Sequence, residues 1–352
     1  MEKKLCIHPD FKLNGHTYNK ESISELAITL IRDGEAHEKD LGNLILQWFD
    51  DYDYITLTTS GTTGKPKEVK LSKEAMEASA LATGEFFKLQ PKDKALLCLP
   101  THYIAGKMMF IRAVVLGLEL DFVNPTKEPL RNNDKIYDFV AMVPLQVHNS
   151  ITQIEQCKTL IVGGAKLNDR TKEILNEMMV NVYETYGMTE TITHIAAKRI
   201  SENYFTVLPH ANISQDERGC LVIEAPLVSN QLIVTNDLVE MPNDIQFAWI
   251  GRYDNLVNSG GVKLVPEKIE QKLSDYIPYR FYVIGKEDAE LGQKLVLVIE
   301  HEPYTLLPEA FGSLDKFEKP KETIFVQKFK ETSTGKVLRR ETINELVSIF
   351  KN

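Results

Sequence analysis

The chain is poor in cysteine and carries no excess of positive charge. Its four cysteines, Cys6, Cys98, Cys157 and Cys220, lie far apart and form no Cys-x-x-Cys pair. That spacing excludes a disulfide scaffold and indicates neither a zinc site nor a redox dithiol; reduced thiols in a cytoplasmic protein are the expectation. Lys and Arg number 41 against 50 Asp and Glu, a net charge of −9, so long-range attraction to nucleic acid or to an anionic membrane is disfavoured. Long apolar runs are also missing. The greasiest stretch, Met108 to Val123, is interrupted by Arg112 and Glu119 and is too short to span a bilayer. The opening Met-Glu-Lys-Lys-Leu-Cys-Ile-His-Pro-Asp lacks the apolar segment of a secretory leader, so neither export nor membrane insertion is expected. There is no internal repeat and no low-complexity tract. What remains is a globular balance, 43% hydrophobic and 26% charged over 352 residues, with material for two domains at roughly 100 to 200 residues each.

Hydrophobic periodicity gives the organisation. Ile23, Leu26, Ala27 and Leu30 make one apolar stripe on a helix ending near Gly34. From residue 94 on, short β-rich runs alternate with helical patterns: Ala95 to Leu99, Met108 to Leu116, Glu119 to Val123, Ile136 to Val143, Thr159 to Val162 and Val180 to Tyr183. This alternation predicts an α/β layer architecture. Turn formers concentrate from Gly251 to Gly261, which marks a linker. Beyond it stand a helix opened by Pro266, strands at Phe281 to Ile284, Lys294 to Ile299 and Thr323 to Val326, and a last helix with Ile343, Leu346, Val347 and Phe350. The expectation is a large N-terminal α/β domain, 1–252, and a small C-terminal α+β domain, 253–352.

The segment richest in chemistry is Thr58-Thr-Ser-Gly-Thr-Thr-Gly-Lys-Pro-Lys-Glu-Val69, set between the β-type runs Tyr54 to Leu57 and Val69 to Leu71. Backbone N–H groups and hydroxyls from Thr59, Ser60, Gly61, Thr62, Thr63 and Gly64, with the charges of Lys65 and Lys67, are groups that wrap a polyphosphate. It is not a Walker A loop, because two residues separate the glycines and Pro66 stands where Ser or Thr is required. By residue type alone the segment is equally a hairpin tip.

The motif resembles the phosphate loop of the adenylate-forming superfamily of acyl-CoA synthetases, luciferases and peptide-synthetase adenylation domains, departing from it with Glu68 in place of a glycine. Further segments are similar to that family in the same order. Glu184-Thr-Tyr-Gly-Met-Thr-Glu190 resembles its Tyr-Gly-x-Thr-Glu signature, which implies that Tyr186 stacks on adenine beside Gly187, Thr189 meets phosphate and Glu190 holds Mg²⁺; a carboxylate near polyphosphate is the expected hard-oxygen ligand. Gly163-Gly164-Ala165 is similar to the loop bordering adenine and the acyl pocket. Thr235-Asn-Asp-Leu238, with Asn236 replacing a glycine, implies that Asp237 binds the ribose hydroxyls. Gly251-Arg-Tyr-Asp254 resembles the hinge signature, with Arg252 on ribose or phosphate and Asp254 as pivot. Gly260 and Gly261 fall where the family lines its pantetheine tunnel, and Thr332-Ser-Thr-Gly-Lys-Val-Leu-Arg339 resembles the segment whose lysine, here Lys336, meets the substrate carboxylate and α-phosphate; Lys330 stands where the family usually has proline.

The resemblance implies an ATP- and Mg²⁺-dependent enzyme that makes an acyl-adenylate from a small-molecule carboxylate and passes the acyl group to CoA. Leu99-Pro-Thr-His-Tyr-Ile-Ala-Gly106 and Val143-Pro-Leu-Gln146 are similar to stretches of the o-succinylbenzoate–CoA ligases of menaquinone biosynthesis, which puts His102 near the reacting carboxylate. No acidic residue occurs from Leu99 to Leu118, which disfavours an amino-acid substrate. A second substrate carboxylate would call for a cation, and Lys107, Arg112 and, as a wall residue, His194 are candidates that local sequence does not orient. The competing classes are an enzyme that passes the acyl group to a carrier-protein thiol or an amine, and a nucleotide-binding protein that has lost catalysis; Lys336 and Glu190 weigh against the latter. The phosphate loop begins near residue 58, earlier than is usual in the family, so part of the large domain's outer scaffold is expected to be absent and a homo-oligomer is an open alternative to a monomer.

Overall fold

The protein is described by a computed structural model covering residues 6–59, 67–331 and 337–349. Among these residues the α-helices are α1 (Lys20–Asp33), α2 (Ala36–Phe49), α3 (Lys73–Phe87), α4 (Ile104–Leu116), α5 (Pro144–Asn149), α6 (Asp169–Asn176), α7 (Pro266–Leu273) and α8 (Arg339–Ile349). The stripe predicted on α1 turns inward, with Ile23 and Ala27 fully buried. The helix starts where Asn19 Oδ1 accepts from the Ser22 amide (2.8 Å) and the Asn19 amide donates back to Ser22 Oγ (3.0 Å), a capping box that satisfies two otherwise orphaned donors. It stops at Gly34, as expected. Met108 to Leu116 lies in α4, which is buried on nearly every side, Lys107 and Arg112 included.

The larger sheet has thirteen strands. On one side of Asn181–Gly187 the strands Cys157–Val162, Tyr137–Met142, Lys94–Leu97, Glu119–Phe122 and Lys12–Leu13 run parallel to one another. On the other side His194–Arg199, Phe205–Val207, Gln246–Arg252, Ile233–Asn243, Cys220–Glu224 and Asn212–Gln215 follow antiparallel. The change of direction falls between Asn181–Gly187 and His194–Arg199. Three parallel strands end beside it, releasing Val143, Gly163 and Met188 at their carboxyl ends, where open α/β sheets offer a crevice to ligands. Helices α1 to α4 pack against the same core as these strands, around Trp48, Phe110 and Phe139.

A separate hairpin, Tyr54–Thr59 with Lys67–Ser72, carries the predicted phosphate loop at its tip. Thr59 and Lys67 stand opposite one another as its last pair; Ser60, Gly61, Thr62, Thr63, Gly64 and Lys65 lie outside the described residues, as does Lys336.

The chain leaves the large sheet at Arg252, makes a 3₁₀ turn over Tyr253–Asn255, and enters a five-stranded sheet at Val257–Ser259. The predicted strands appear there as Phe281–Asp288, Gly292–Glu300 and Glu322–Val326, the last two parallel. One face packs on α7 through Ile269 and Leu273, the other on α8 through Ile343. Gly260 and Gly261 form the two-residue turn between Val257–Ser259 and Val262–Leu264, with φ of +59° and +83°. Two successive left-handed residues match the twist of a tight hairpin, and glycine takes them without strain.

Candidate active site

A cavity of about 290 Å³ opens where the parallel strands end. Its wall includes Gly163 and Gly164 after strand Cys157–Val162, Gly187 and Thr189 after strand Asn181–Gly187, and Ile104 and Ala105 at the start of α4. Most of the remaining lining is aliphatic, from Leu99, Ala141, Met142 and Ile161, as suits a pocket for a largely apolar acyl group. The glycine at 187 has a steric reason: a Cβ there would stand 2.3 Å from the Thr193 carbonyl oxygen, so only a bare backbone lets the neighbouring strand close in.

Two ionisable side chains stand in this wall, Arg112 and His194. Arg112 is 2% exposed and has no carboxylate partner among the described residues. Its Nε donates to Thr83 Oγ1 (3.3 Å), Nη2 to Thr193 Oγ1 (3.3 Å), and Nη1 reaches only the Met109 sulfur (3.7 Å). Burial pulls the guanidinium down to about 9, which still leaves it charged at neutral pH. His194 is fully enclosed, and burial, reinforced by the charge of Arg112, holds its pKa well below the ordinary histidine value. It is therefore neutral. Lys107 is buried too, but it does not line the cavity, and its nearest electrostatic partner is Asp40.

A second cluster adjoins the first through strand Asn181–Gly187. Asp237, 6% exposed, accepts from Tyr186 Oη (2.6 Å), Trp249 Nε1 (3.0 Å) and Arg252 Nη1 (3.4 Å). The sheet fixes this meeting, because Asp237 and Arg252 are register partners on adjacent strands. The Tyr186 ring stands edge-on to Phe247 at 5.1 Å, and burial together with the Asp237 carboxylate pushes the phenol up. Arg252 also reaches Asp254 (3.2 Å), which in turn accepts from Asn236 Nδ2 (3.2 Å). Burial opposes the Arg252 charge, and the two carboxylates more than offset it, raising its pKa.

Glu190 is exposed at the 3₁₀ turn Thr189–Thr191 and forms no ion pair among the described residues. A single free carboxylate suits Mg²⁺, which keeps most of its ligands as water and phosphate oxygen; no group of three or more metal-ligating side chains stands together among the described residues. Glu184, at the head of the same motif, is structural. Burial opposes its charge, but Lys172 (2.9 Å) and Lys198 (3.4 Å) overcome this and hold its pKa below the usual range.

The structure thus brings Gly163, Gly164, Gly187 and Thr189 to one cavity, and Tyr186, Asp237, Arg252 and Asp254 to the cluster beside it. His102 lies apart from both groups. It stands outside the cavity wall with its side chain 52% exposed, Nδ1 2.8 Å from Asp40 of α2 and its ring 4.2 Å from Tyr103. The turn before α4 points it outward, and the following residues, Ile104 and Ala105, line the cavity instead. Trp249 escaped sequence reasoning; the signal available was its place three residues before Arg252 on one strand.

Comparison with known proteins shows the family. The profile of the family described as AMP-binding enzyme matches residues 50–218. A solved structure of an acyl-CoA synthetase (AMP-forming)/AMP-acid ligase II-like protein from Dyadobacter fermentans is 35% identical, with 92% of this chain and 98% of that chain covered and a TM-score of 0.62. The 2-succinylbenzoate–CoA ligase of Listeria monocytogenes is 24% identical over 358 residues, 91% of this chain and 74% of that protein. The o-succinylbenzoate coenzyme A synthetase of Bacillus subtilis, solved in complex with ATP and magnesium ion, shares the fold at a TM-score of 0.71 and 19% identity, over 82% of this chain and 69% of its own. The chain belongs to the AMP-binding, adenylate-forming enzyme family. No helix among the described residues is long and apolar enough to cross a membrane.

Proposed function

We propose that the protein is an AMP-forming carboxylate–CoA ligase whose substrate is o-succinylbenzoate, acting in menaquinone biosynthesis. The observation that carries the substrate is Arg112: a buried cation without a counter-charge among the described residues, in the wall of a largely apolar cavity. Such a charge is unfavourable unless a ligand neutralises it. An aromatic keto acid with a second carboxylate supplies both the apolar body and the counter-ion. The ligases of Listeria monocytogenes and Bacillus subtilis carry this substrate in their names.

In the first half-reaction the aliphatic carboxylate attacks the α-phosphate of ATP and pyrophosphate leaves. In the second the CoA thiolate attacks the acyl carbonyl and AMP leaves. Neither step needs a protein nucleophile, so positioning and electrostatics carry the rate. Glu190 would hold Mg²⁺, which neutralises phosphate charge when bound. Asp237 would take the ribose hydroxyls, Thr189 a phosphate oxygen, and the Gly163–Gly164 backbone the edge of the adenine and the acyl group. Lys336 would meet the carboxylate and α-phosphate from the small C-terminal part, which must then turn about Asp254 before the Gly260–Gly261 hairpin meets the thiol arm.

Carboxylate-dependent ATP–pyrophosphate exchange over a panel of acids, followed by CoA addition and thioester detection, tests the reading. Exchange is expected with o-succinylbenzoate and weak with benzoate or fatty acids. No exchange with any acid removes the enzyme; exchange without thioester points to a carrier-protein thiol or an amine as acceptor. Lys336→Ala is expected to lose adenylation while converting supplied acyl-adenylate to thioester.

A further inference from the structure

His194 has no role in the reactions above, yet it is packed directly on the one buried cation of the cavity wall. Its Nδ1 lies 3.4 Å from Arg112 Nη2 and its Nε2 lies 3.4 Å from Thr83 Oγ1. The hydrogens can be assigned from the partners. The single hydroxyl hydrogen of Thr83 goes to the Ser79 carbonyl (2.9 Å), so Thr83 Oγ1 is an acceptor for Arg112 Nε and for His194 alike. Nε2 therefore carries the imidazole hydrogen, and Nδ1 faces Arg112 with its lone pair. Nη2 then spends one hydrogen on Thr193 and the other on His194. Nη1, facing only the Met109 sulfur at 3.7 Å, keeps a hydrogen with no strong acceptor.

We propose that His194 is a specificity-determining positioning residue: as the neutral Nε2–H tautomer it ties down the Nη2 edge of Arg112 and leaves the Nη1 edge to receive a carboxylate of a dicarboxylic substrate. The inference rests on the proposed role of Arg112 and adds to it the element that fixes the guanidinium. Three separate parts of the fold, α3 with Thr83, α4 with Arg112 and the start of strand His194–Arg199, are held in one arrangement by this ring. Phe87 of α3 closes its edge at 6.2 Å. A protonated ring would set an N–H against the guanidinium, so the arrangement has a single compatible protonation state.

The test compares o-succinylbenzoate with 4-oxo-4-phenylbutyrate, the same acid without the ring carboxylate, in pyrophosphate exchange. His194→Leu is expected to lower the ratio of kcat/KM for the diacid to that for the monoacid by at least about tenfold, through KM for the diacid. His194→Asn, whose Oδ1 offers an acceptor near the position of Nδ1, is expected to restore the ratio to within about threefold. An unchanged ratio, or a loss shared equally by both acids, overturns the positioning role. Arg112→Met is the separate control: if it keeps the diacid preference, the reading of Arg112 fails, whereas its loss there beside an unchanged His194→Leu removes only the histidine. Should His194→Leu not fold, ¹⁵N spectra of histidine-labelled wild type decide the matter. A neutral Nε2–H ring between pH 6 and 8 is required, and an Nδ1–H or protonated ring overturns the proposal.

Discussion

Replacing Arg112 by methionine should make the ligand-free protein more stable while removing its hold on a diacid. Burial brings the guanidinium from 12.5 to about 9, and at about 1.36 kcal/mol per pH unit this is roughly 5 kcal/mol of unfavourable charge burial at pH 7. The sign follows from the order of the two values. The folded state holds the proton less tightly than the unfolded chain, so the penalty is fully present below pH 9 and is relieved as the pH rises above it. Against this stand three lost hydrogen bonds. Thr83 keeps Ser79 and His194 Nδ1 keeps the Thr193 hydroxyl at 3.5 Å, so the loss is about 1–2 kcal/mol in all. A near-isosteric thioether fills most of the space with little strain. With about 1 kcal/mol of repacking cost, the net expectation is a gain of about 2–3 kcal/mol.

Urea unfolding followed by tryptophan fluorescence reads this directly, since both tryptophans, Trp48 and Trp249, belong to the part of the chain built on the large sheet. Saturating o-succinylbenzoate should then bring the two proteins to nearly equal stability. At a hundred times its dissociation constant the acid adds about 2.7 kcal/mol to the wild type and nothing to the variant. If Arg112→Met is instead less stable than the wild type without ligand by more than about 1 kcal/mol, the cation is satisfied inside the fold, and the inference that it awaits a substrate anion is wrong.

Acid lability should trace to His210, a buried imidazole with both ring nitrogens unpartnered among the described residues and a pKa lowered by burial from 6.5 to about 4. Because the folded value is the lower one, stability is complete above pH 6.5 and falls as the pH drops toward 4; about 2 kcal/mol should be lost between pH 7 and 5, and urea midpoints of His210→Leu should show a flatter slope, with the remainder from His194. Gly187→Ala places a methyl 2.3 Å from the Thr193 carbonyl, so an unfolding midpoint lowered by about 1–3 kcal/mol and a raised KM for the diacid are expected, and a silent substitution would contradict the close strand approach. Asn236→Gly removes the exposed Asn236–Asp254 bond and the Oδ1 acceptor of Arg218 Nη1 (2.8 Å) and should lower stability by about 1 kcal/mol. The same variant should alter the rate of thioester formation from supplied acyl-adenylate several-fold, and an unchanged rate would show that this bond does not restrain the turn at Asp254.

Local rules carried the fold further than they carried the pocket. The α1 stripe, the proline opening α7 and the β-rich runs around residues 95, 139 and 160 all lie where periodicity and capping put them, because an apolar helix face and a short buried strand are both signalled by neighbouring residues alone. Helix α4 behaves otherwise. Met108 to Leu116 is apolar on all sides, as a helix buried all round must be, so no periodic signal says which way Lys107 or Arg112 points. Arg112 meets Thr83 and His194 across separations of 29 and 82 residues, and nothing local encodes that meeting. The antiparallel strands from His194 to Arg252 show in the sequence through their motifs alone. The Asp237–Trp249–Arg252 cluster is a product of their register, which a single sequence does not display. His102 lies in a legible motif, but the turn that follows Leu99 presents Ile104 and Ala105 to the cavity and leaves the imidazole to Asp40.

The two clusters differ in how their charge is balanced, and that difference orders events in the site. Asp237 is satisfied before any ligand arrives. Of its three donors, Tyr186 and Trp249 bind at 2.6 and 3.0 Å, while Arg252 is held at 3.4 Å and is shared with Asp254. A ribose diol donating to Asp237 would displace the longest of these bonds first, leaving Arg252 to Asp254 or to a phosphate. Arg112 has no carboxylate competitor among the described residues. Nucleotide binding would thus exchange one set of partners for another around Arg252, next to the turn over Tyr253–Asn255, whereas on the proposed reading the acid would neutralise the charge of Arg112. The first exchange is close to balanced and suited to reversible movement of the chain beyond residue 252; the second is strongly one-sided and suited to selecting the substrate.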